Sequence, residues 1–369
     1  MKLLRDGALK TIFGGLKAIS PRNSPERRDY KNARFLVIST TAIGDTLLAT
    51  PAMRALKETY PGSYVAVLAH KGRMDILKGN PHVDELISFE KGWIPLWQMG
   101  QGLKRRGFNV VLIFHGNDPW TLPVAWLSGA PEIVGYREDT EFDSFLTRII
   151  SMPAEGSHAI DRRLALSRAV GADTKDRKLV LRLTESERAS TDDLLSMLEI
   201  DRNRPLVGLQ PGAARPYKCW PLERFAELGR RLVEELGAQV VITGSPQEAA
   251  MADRLKKMIG EGAASAAGRT EIRGMGVLME QMAAYVTNDT GPMHMAFALG
   301  TPTVALFCPS DAASLGPSAE QEKHRMLSKP LTCTPCITKR CTDPFCMEQF
   351  SVDEVAEAVR QLMRTGKNR

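Results

Sequence analysis

Thr287-Asn288-Asp289-Thr290-Gly291-Pro292-Met293-His294-Met295-Ala296-Phe297-Ala298-Leu299-Gly300-Thr301-Pro302-Thr303-Val304-Ala305-Leu306-Phe307 reads as a strand end, a tight turn, a helix, a second turn and another strand. Gly291 lets the backbone come close to a ligand, because it has no Cβ. Pro292 suits the first helical position, where its missing N–H costs nothing. The amides of Met293 and His294 then face out of the helix N-terminus, unpaired and at the positive end of its dipole. That is a ready site for a phosphate. His294 adds a donor from its side chain. The stretch therefore predicts a nucleotide diphosphate held at the end of a parallel strand.

The same plan extends outward on both sides. In the second half, strands are expected at Pro205–Gln210, Gln239–Thr243, weakly near Ala264, at Tyr285–Asn288 and at Thr303–Phe307. Helices are expected at Leu222–Leu236, Pro246–Ile259 and Gly276–Ala283, besides the one opening at Gly291. In the first half, strands are expected at Arg34–Ser39, Tyr64–Ala69, Val83–Phe89, Val110–Phe114 and Ile133–Tyr136. Helices are expected there at Thr46–Tyr60, Leu96–Arg106 and about Trp120–Leu127. Short continuous apolar strands between helices mean parallel sheets covered on both faces. Two such α/β sheets place a ligand at the carboxyl ends of the strands, in a cleft between them.

The expected division has four parts. Residues 1–32 form a basic amphipathic segment and linker, and 33–183 a first Rossmann-like domain. The polar stretch 184–204, with a helix at Glu185–Leu198, joins it to a second Rossmann-like domain at 205–369. A length of 369 residues lets each half bury its own core. The apolar and charged fractions, 43% and 25%, are ordinary for a globular protein. A net charge of +6 fits an anionic substrate or an anionic membrane surface. With 6% aromatic residues and no stacking platform among the basic ones, nucleic acid is not an expected partner.

No apolar run reaches the roughly 18 residues that a membrane-crossing helix needs. Lys2, Arg5, Lys10 and Lys17 break up any signal-peptide core in Met1–Ile19. Leu9, Ile12, Phe13, Leu16 and Ile19 recur at helical spacing instead. Two readings stand: a basic amphipathic helix on anionic lipid, or a surface helix docked on the protein's own body.

Two further loops carry chemistry. Ser39-Thr40-Thr41-Ala42-Ile43-Gly44-Asp45-Thr46 ends the first strand. Asp45 there is a candidate proton acceptor for an attacking hydroxyl, or else a helix N-cap. The loop has one glycine, so it is neither the dinucleotide fingerprint nor a Walker loop. Gln210-Pro211-Gly212-Ala213-Ala214-Arg215-Pro216-Tyr217-Lys218-Cys219-Trp220-Pro221 follows the first strand of the second half. Arg215 and Lys218 supply cations for a diphosphate, or form a solvated basic loop. Glu223 can accept ribose hydroxyls, or serve as a first-turn partner of the helix dipole.

Taken together, Thr40 to Asp45, Pro211-Gly212-Ala213 with Lys218-Cys219-Trp220-Pro221, and Asn288 to His294 resemble the lipopolysaccharide heptosyltransferases, glycosyltransferase family 9. The resemblance runs from about Arg34 to about Leu362. It implies a GT-B fold, two Rossmann-like domains facing across a cleft, with the acceptor on the first and the nucleotide-sugar donor on the second. It implies an inverting, metal-independent enzyme of the cytoplasm, with ADP-heptose as donor and the lipopolysaccharide core or lipid A as acceptor. On the lipid reading, the amphipathic start would place such an enzyme at the cytoplasmic face of the inner membrane, near its lipid acceptor. Carried over by position, Asp45 is the general base and Lys218 neutralises the leaving diphosphate. Asp289 orients the sugar or its neighbours. Thr290, Gly291 and His294 hold the diphosphate, beside the Met293 amide, and Glu223 faces the nucleoside. His158, in His158-Ala-Ile-Asp-Arg-Arg-Leu, is a further cleft residue by the same resemblance. Ala214 and Cys219 depart from the family pattern, which often has Ser or Thr at the first and Arg at the second. The long amphipathic start is an addition to it.

Cys333, Cys336, Cys341 and Cys346 lie close together, while Cys219 and Cys308 stand apart. The cluster is read as structural, with a tetrahedral zinc or reduced thiols as its two states. Disulfides fit a cytosolic enzyme poorly. Competing functions are another GT-B sugar transferase, a sugar-nucleotide epimerase, and a non-catalytic zinc-bound interaction protein on a transferase body.

Overall fold

The structure, a computed structural model, describes residues 29–114, 120–137, 141–333, 341 and 345–367. The amphipathic start and Cys336 lie outside the described residues. The chain divides into two compact units, Met1–Val180 and Leu181–Arg369.

In the first unit the strands are β1 (Arg34–Ser39), β2 (Tyr64–His70), β3 (Glu85–Phe89), β4 (Val110–Ile113), β5 (Glu132–Tyr136) and β6 (Arg148–Ile150). They form one sheet in the order β3-β2-β1-β4-β5-β6, and every pairing is parallel. In the second unit the strands are β7 (Leu206–Gln210), β8 (Gln239–Ile242), β9 (Ala263–Ser265), β10 (Ala284–Asn288), β11 (Thr303–Phe307) and β12 (His324–Ser328). Their order is β12-β11-β10-β7-β8-β9, again all parallel. Each unit thus runs outward from its first strand, returns, and continues on the other side. This is the doubly wound order, with its switch point between the first and fourth strands. The two Rossmann-like sheets expected from the sequence are present. The central strands are buried along their length, except Arg34 at the start of β1, as the apolar runs required.

The helices of the first unit are α1 (Ile43–Leu48), α2 (Thr50–Thr59), α3 (Trp93–Arg105), α4 (Thr121–Leu127) and α5 (Ala159–Arg168). The expected single helix Thr46–Tyr60 is two. Pro51 has no N–H for the carbonyl of Leu47. The Thr50 hydroxyl donates to that carbonyl instead, at 2.7 Å, and the chain turns at Ala49. β6 and α5 were not expected.

The second unit begins with α6 (Glu185–Ala189) and α7 (Thr191–Met197). It continues with α8 (Leu222–Leu236), α9 (Ala249–Ile259), α10 (Ile272–Glu280), α11 (Gly291–Leu299), α12 (Ala312–Leu315), α13 (Phe345–Glu348) and α14 (Val352–Lys367). Glu187, capping α6, is ion-paired with the buried Arg273 of α10, so the polar stretch after Leu183 is tied to the second unit. The helix expected at Gly276–Ala283 starts and ends earlier. Ala283 is already committed to the sheet, its N–H donating to the Leu206 carbonyl at 2.8 Å. α14 and β12 were not expected. α14 closes the core of its unit with Val355, Val359 and Leu362, all buried. Among the described residues no helix is long and apolar enough to cross a membrane.

Candidate active site

In the first unit, the β1 strand ends at Ser39 and α1 opens four residues later, next to the switch point between β1 and β4. Asp45 is not the N-cap. Ala42 takes that position without a side-chain bond, and Asp45 lies in the first turn. Its Oδ1 accepts from the Arg163 guanidinium at 2.9 Å. Asp45 is 35% exposed, whereas Arg163, on α5, is 7% exposed. A second arm of Arg163 donates to the Ala159 carbonyl at 2.7 Å. Burial pulls the Arg163 proton affinity down, and Asp45 opposes that shift. The loop leading into α1 is fixed by Arg73, which donates to the carbonyls of Thr40 and Thr41. His158 caps α5: its Nδ1 accepts from the Ile160 N–H at 3.1 Å. Its visible role is therefore to start the helix that carries Arg163.

In the second unit, the switch point lies between β7 and β10, and the two expected binding loops leave the carboxyl ends of these strands. Lys218, in a short 3₁₀ turn after β7, donates to Asp289 Oδ2 at 2.5 Å. Ser310 donates its hydroxyl proton to the same oxygen. Asp289 is 6% exposed, so its charge is met by Lys218 and Ser310 rather than by bulk water. Asn288 ties the loops together. Its Nδ2 donates to the Pro211 carbonyl at 2.8 Å, and its Oδ1 accepts from the Trp220 N–H at 3.0 Å. Trp220 is buried, with its indole N–H on the Phe350 carbonyl at 3.1 Å. Lys218 thus sits on a turn fixed at both ends.

α11 starts as the sequence suggested, with one difference. Gly291 takes the first position and Pro292 the second, after Thr290 in extended backbone. The Met293 amide is engaged by the Thr290 carbonyl at 3.1 Å, so it is not the unpaired donor expected. His294 is buried, its ring edge-on to Phe297 at 5.9 Å. Gly212 leaves room for Glu248: a Cβ there would lie 1.7 Å from Glu248 Oε1, so that carboxylate would have to move. Arg215 is exposed beside that loop. Glu223, in the first turn of α8, is exposed and pairs with Arg254 at 3.3 Å.

Three residues that complete these clusters were given no role from the sequence: Arg163, Asn288 and Ser310. Arg163 stood inside the quoted His158 stretch. Asn288 stood inside the opening stretch. For Ser310 there was no signal beyond its place shortly after β11.

Among the described residues no group of three His, Cys, Asp or Glu is placed to hold a metal ion. Cys219, Cys333 and Cys346 are free thiols. Burial raises the Cys346 thiol, but the Thr332 hydroxyl and amide outweigh that and hold it below its ordinary value.

The family model described as glycosyltransferase family 9 (heptosyltransferase) matches residues 96–345, well over half of the chain. The chain belongs to glycosyltransferase family 9. This family 9 chain is accordingly a glycosyltransferase enzyme. It is 28% identical over 295 residues to lipopolysaccharide heptosyltransferase 2 of Escherichia coli K12, covering 75% of this chain and 83% of that one. Among solved structures, it is similar to a family 9 glycosyltransferase of Veillonella parvula, with a TM-score of 0.80 and 24% identity. That match covers 92% of this chain and 99% of the other. It is also similar to the E. coli ADP-heptose lipopolysaccharide heptosyltransferase II, with a TM-score of 0.76 and 24% identity over 90% of this chain and 99% of that one. These likenesses establish the GT-B fold.

Proposed function

We propose that this family 9 enzyme is an inverting heptosyltransferase, moving a heptose from ADP-heptose to a lipopolysaccharide inner-core or lipid A acceptor. Family membership and the names of the matched relatives support the sugar and the acceptor. The observation that carries the donor assignment is the Lys218–Asp289 pair at the switch point of the second sheet, beside the α11 N-terminus. An epimerase and a non-catalytic zinc-bound protein are both disfavoured by the family match.

In the proposed reaction the acceptor hydroxyl attacks the anomeric carbon and gives its proton to Asp45. The bond from that carbon to the diphosphate oxygen breaks, and ADP leaves with the bonding pair. Charge developing on the diphosphate is met by Lys218, His294 and the first turn of α11, through Thr290 and Gly291. Arg215 is a further cation for the donor. Asp289 holds Lys218, and its same oxygen accepts from Ser310, so the ammonium meets the diphosphate from a fixed position. Asp289 then remains to orient the sugar. Glu223 is assigned to the nucleoside, in exchange for its exposed contact with Arg254. His158 acts on the site through α5.

The scheme gives no step to a metal. The cysteine cluster, with Cys336, is assigned a structural role, as reduced thiols or a bound zinc. The amphipathic stretch Met1–Ile19 is proposed to rest on the cytoplasmic face of the inner membrane, beside the lipid acceptor.

A binding screen against ADP-, GDP-, UDP- and CMP-sugars tests the donor. Preference for ADP-heptose is expected, and preference for another nucleotide overturns that part of the reading. Asp45→Asn should bind donor normally and lose transfer by about 10²- to 10⁴-fold. Transfer near the wild-type rate would remove Asp45 as the base.

A further inference from the structure

We infer that Arg163 is the positioning residue of the Asp45 base: its grip on Oδ1 fixes the orientation in which the carboxylate meets the acceptor hydroxyl. This rests on the reading of Asp45 as base. The geometry fixes the guanidinium at two points, Asp45 at 2.9 Å and the Ala159 carbonyl at 2.7 Å. Its helix is itself anchored one turn on, where the Ser167 hydroxyl donates to the Ala52 carbonyl of α2 at 3.0 Å. A cation this buried is costly unless it is paired. Here the pairing carboxylate is the more exposed member, so the pair joins a fixed inner group to an outer one that meets solvent and substrate.

Among the described residues, charged and titratable groups reach the pair from three elements. Arg162 neighbours Arg163 on α5, and Tyr136 lies on β5. Arg73 holds the carbonyls of the loop before α1. The Tyr136 hydroxyl donates to the Arg162 carbonyl, and burial raises its pKa to about 12, so it stays neutral across the working range. Arg163 has two effects on Asp45. It holds the carboxylate in one orientation, and it favours the ionised form that can accept a proton. The acceptor's proton goes to the Asp45 carboxylate, which Arg163 holds through Oδ1.

The test uses the full chain with Arg163→Met and Arg163→Lys. The readouts are kcat, donor KM, the pH dependence of the rate, and thermal stability. Arg163→Met should lower kcat on the order of 10- to 100-fold, the scale of a misplaced catalytic group, and leave donor KM unchanged. Removing the guanidinium raises the proton affinity of the carboxylate, so the acid limb of the pH–rate profile should move to higher pH. Arg163→Lys keeps the charge but not the two-point fixation. It should retain the wild-type acid limb with a reduced kcat, and it carries the test if the Met variant does not fold. Unchanged kcat and unchanged pH profile in the variants would overturn the inference. So would a fall in activity that tracks only a loss of folded protein, with the acid limb in place. Asp45→Asn, measured in parallel, separates the two ideas. If it is inactive while the Arg163 variants behave as wild type, only the positioning role fails. If it is active, the base reading fails and this inference with it.

Discussion

Asn288→Ala should weaken the second domain more than its modest change in size implies. Asn288 is fully buried, and its carboxamide serves two backbone groups on different segments. Without it, the Trp220 N–H and the Pro211 carbonyl lose their partners at 3.0 and 2.8 Å. Each buried backbone group left unsatisfied costs about 1–3 kcal/mol. Together the two losses amount to about 2–6 kcal/mol, the lower end applying where water enters the space. For a unit of this size that is a fall in Tm of roughly 5–15 °C. Differential scanning calorimetry of the full chain measures it. Donor affinity should fall as well, because the turn carrying Lys218 is tied to β10 through this side chain. Asn288→Asp sharpens the test. It keeps the acceptor for Trp220 but turns an oxygen toward the Pro211 carbonyl and buries a charge. It should therefore be at least as destabilising as Ala, despite the smaller change. If Asp were tolerated, or if Ala lowered Tm by less than about 2 °C, the carboxamide would not be the tie described, since even the lower-end cost predicts a larger fall.

Gly212→Ala places a Cβ against Glu248, whose other oxygen accepts from the Ser245 N–H and hydroxyl at 2.7 and 2.9 Å. The carboxylate can move only by giving up that cap, so urea unfolding should show a loss of about 1 kcal/mol, together with weaker nucleotide binding by titration calorimetry. An unchanged midpoint would mean that Glu248 swings away freely. His324 is 2% exposed, with no hydrogen-bond partner for either ring nitrogen, and its ring centroid is 4.7 Å from that of Phe297. Burial pushes its pKa from 6.5 down to about 4, so the folded state resists the proton that the unfolded chain accepts. The stability this gives is intact above pH 6.5 and is lost as pH falls toward 4, by about 3 kcal/mol across that window. His324→Phe should flatten the corresponding fall in Tm between pH 7 and pH 4.5; an equally steep fall in the variant would place the acid sensitivity elsewhere.

Local signals in this chain carry the fold further than they carry the site. Strands such as β7 and β11 were legible because a strand buried on both faces must be a continuous apolar run, and α8 because one face of it must be apolar. The break at Ala49 was also written in the chain, as Pro51 after Thr50, and was passed over because the apolar pattern continues through it. Asp289, Lys218 and His294 stand out as candidates because a strand end followed by glycine and a helix start has few uses. What pairs with them is a matter of topology. Lys218 and Asp289 are 71 residues apart, yet in the doubly wound order the first and fourth strands of a unit are neighbours. Loops leaving their carboxyl ends must therefore meet, and a reader holding that strand order could have inferred the pair. Arg163 is different in kind. It lies 118 residues from Asp45, on a helix after the last strand, and no strand order fixes where that helix returns. Its position depends on how α5 packs against α2, where Ser167 meets the Ala52 carbonyl, a contact with no sequence signature. The Lys218–Asp289 pairing therefore follows from the architecture alone, whereas the setting of the proposed base follows only from side-chain packing. The Arg163 variants accordingly probe the part of the site that the fold family by itself does not specify.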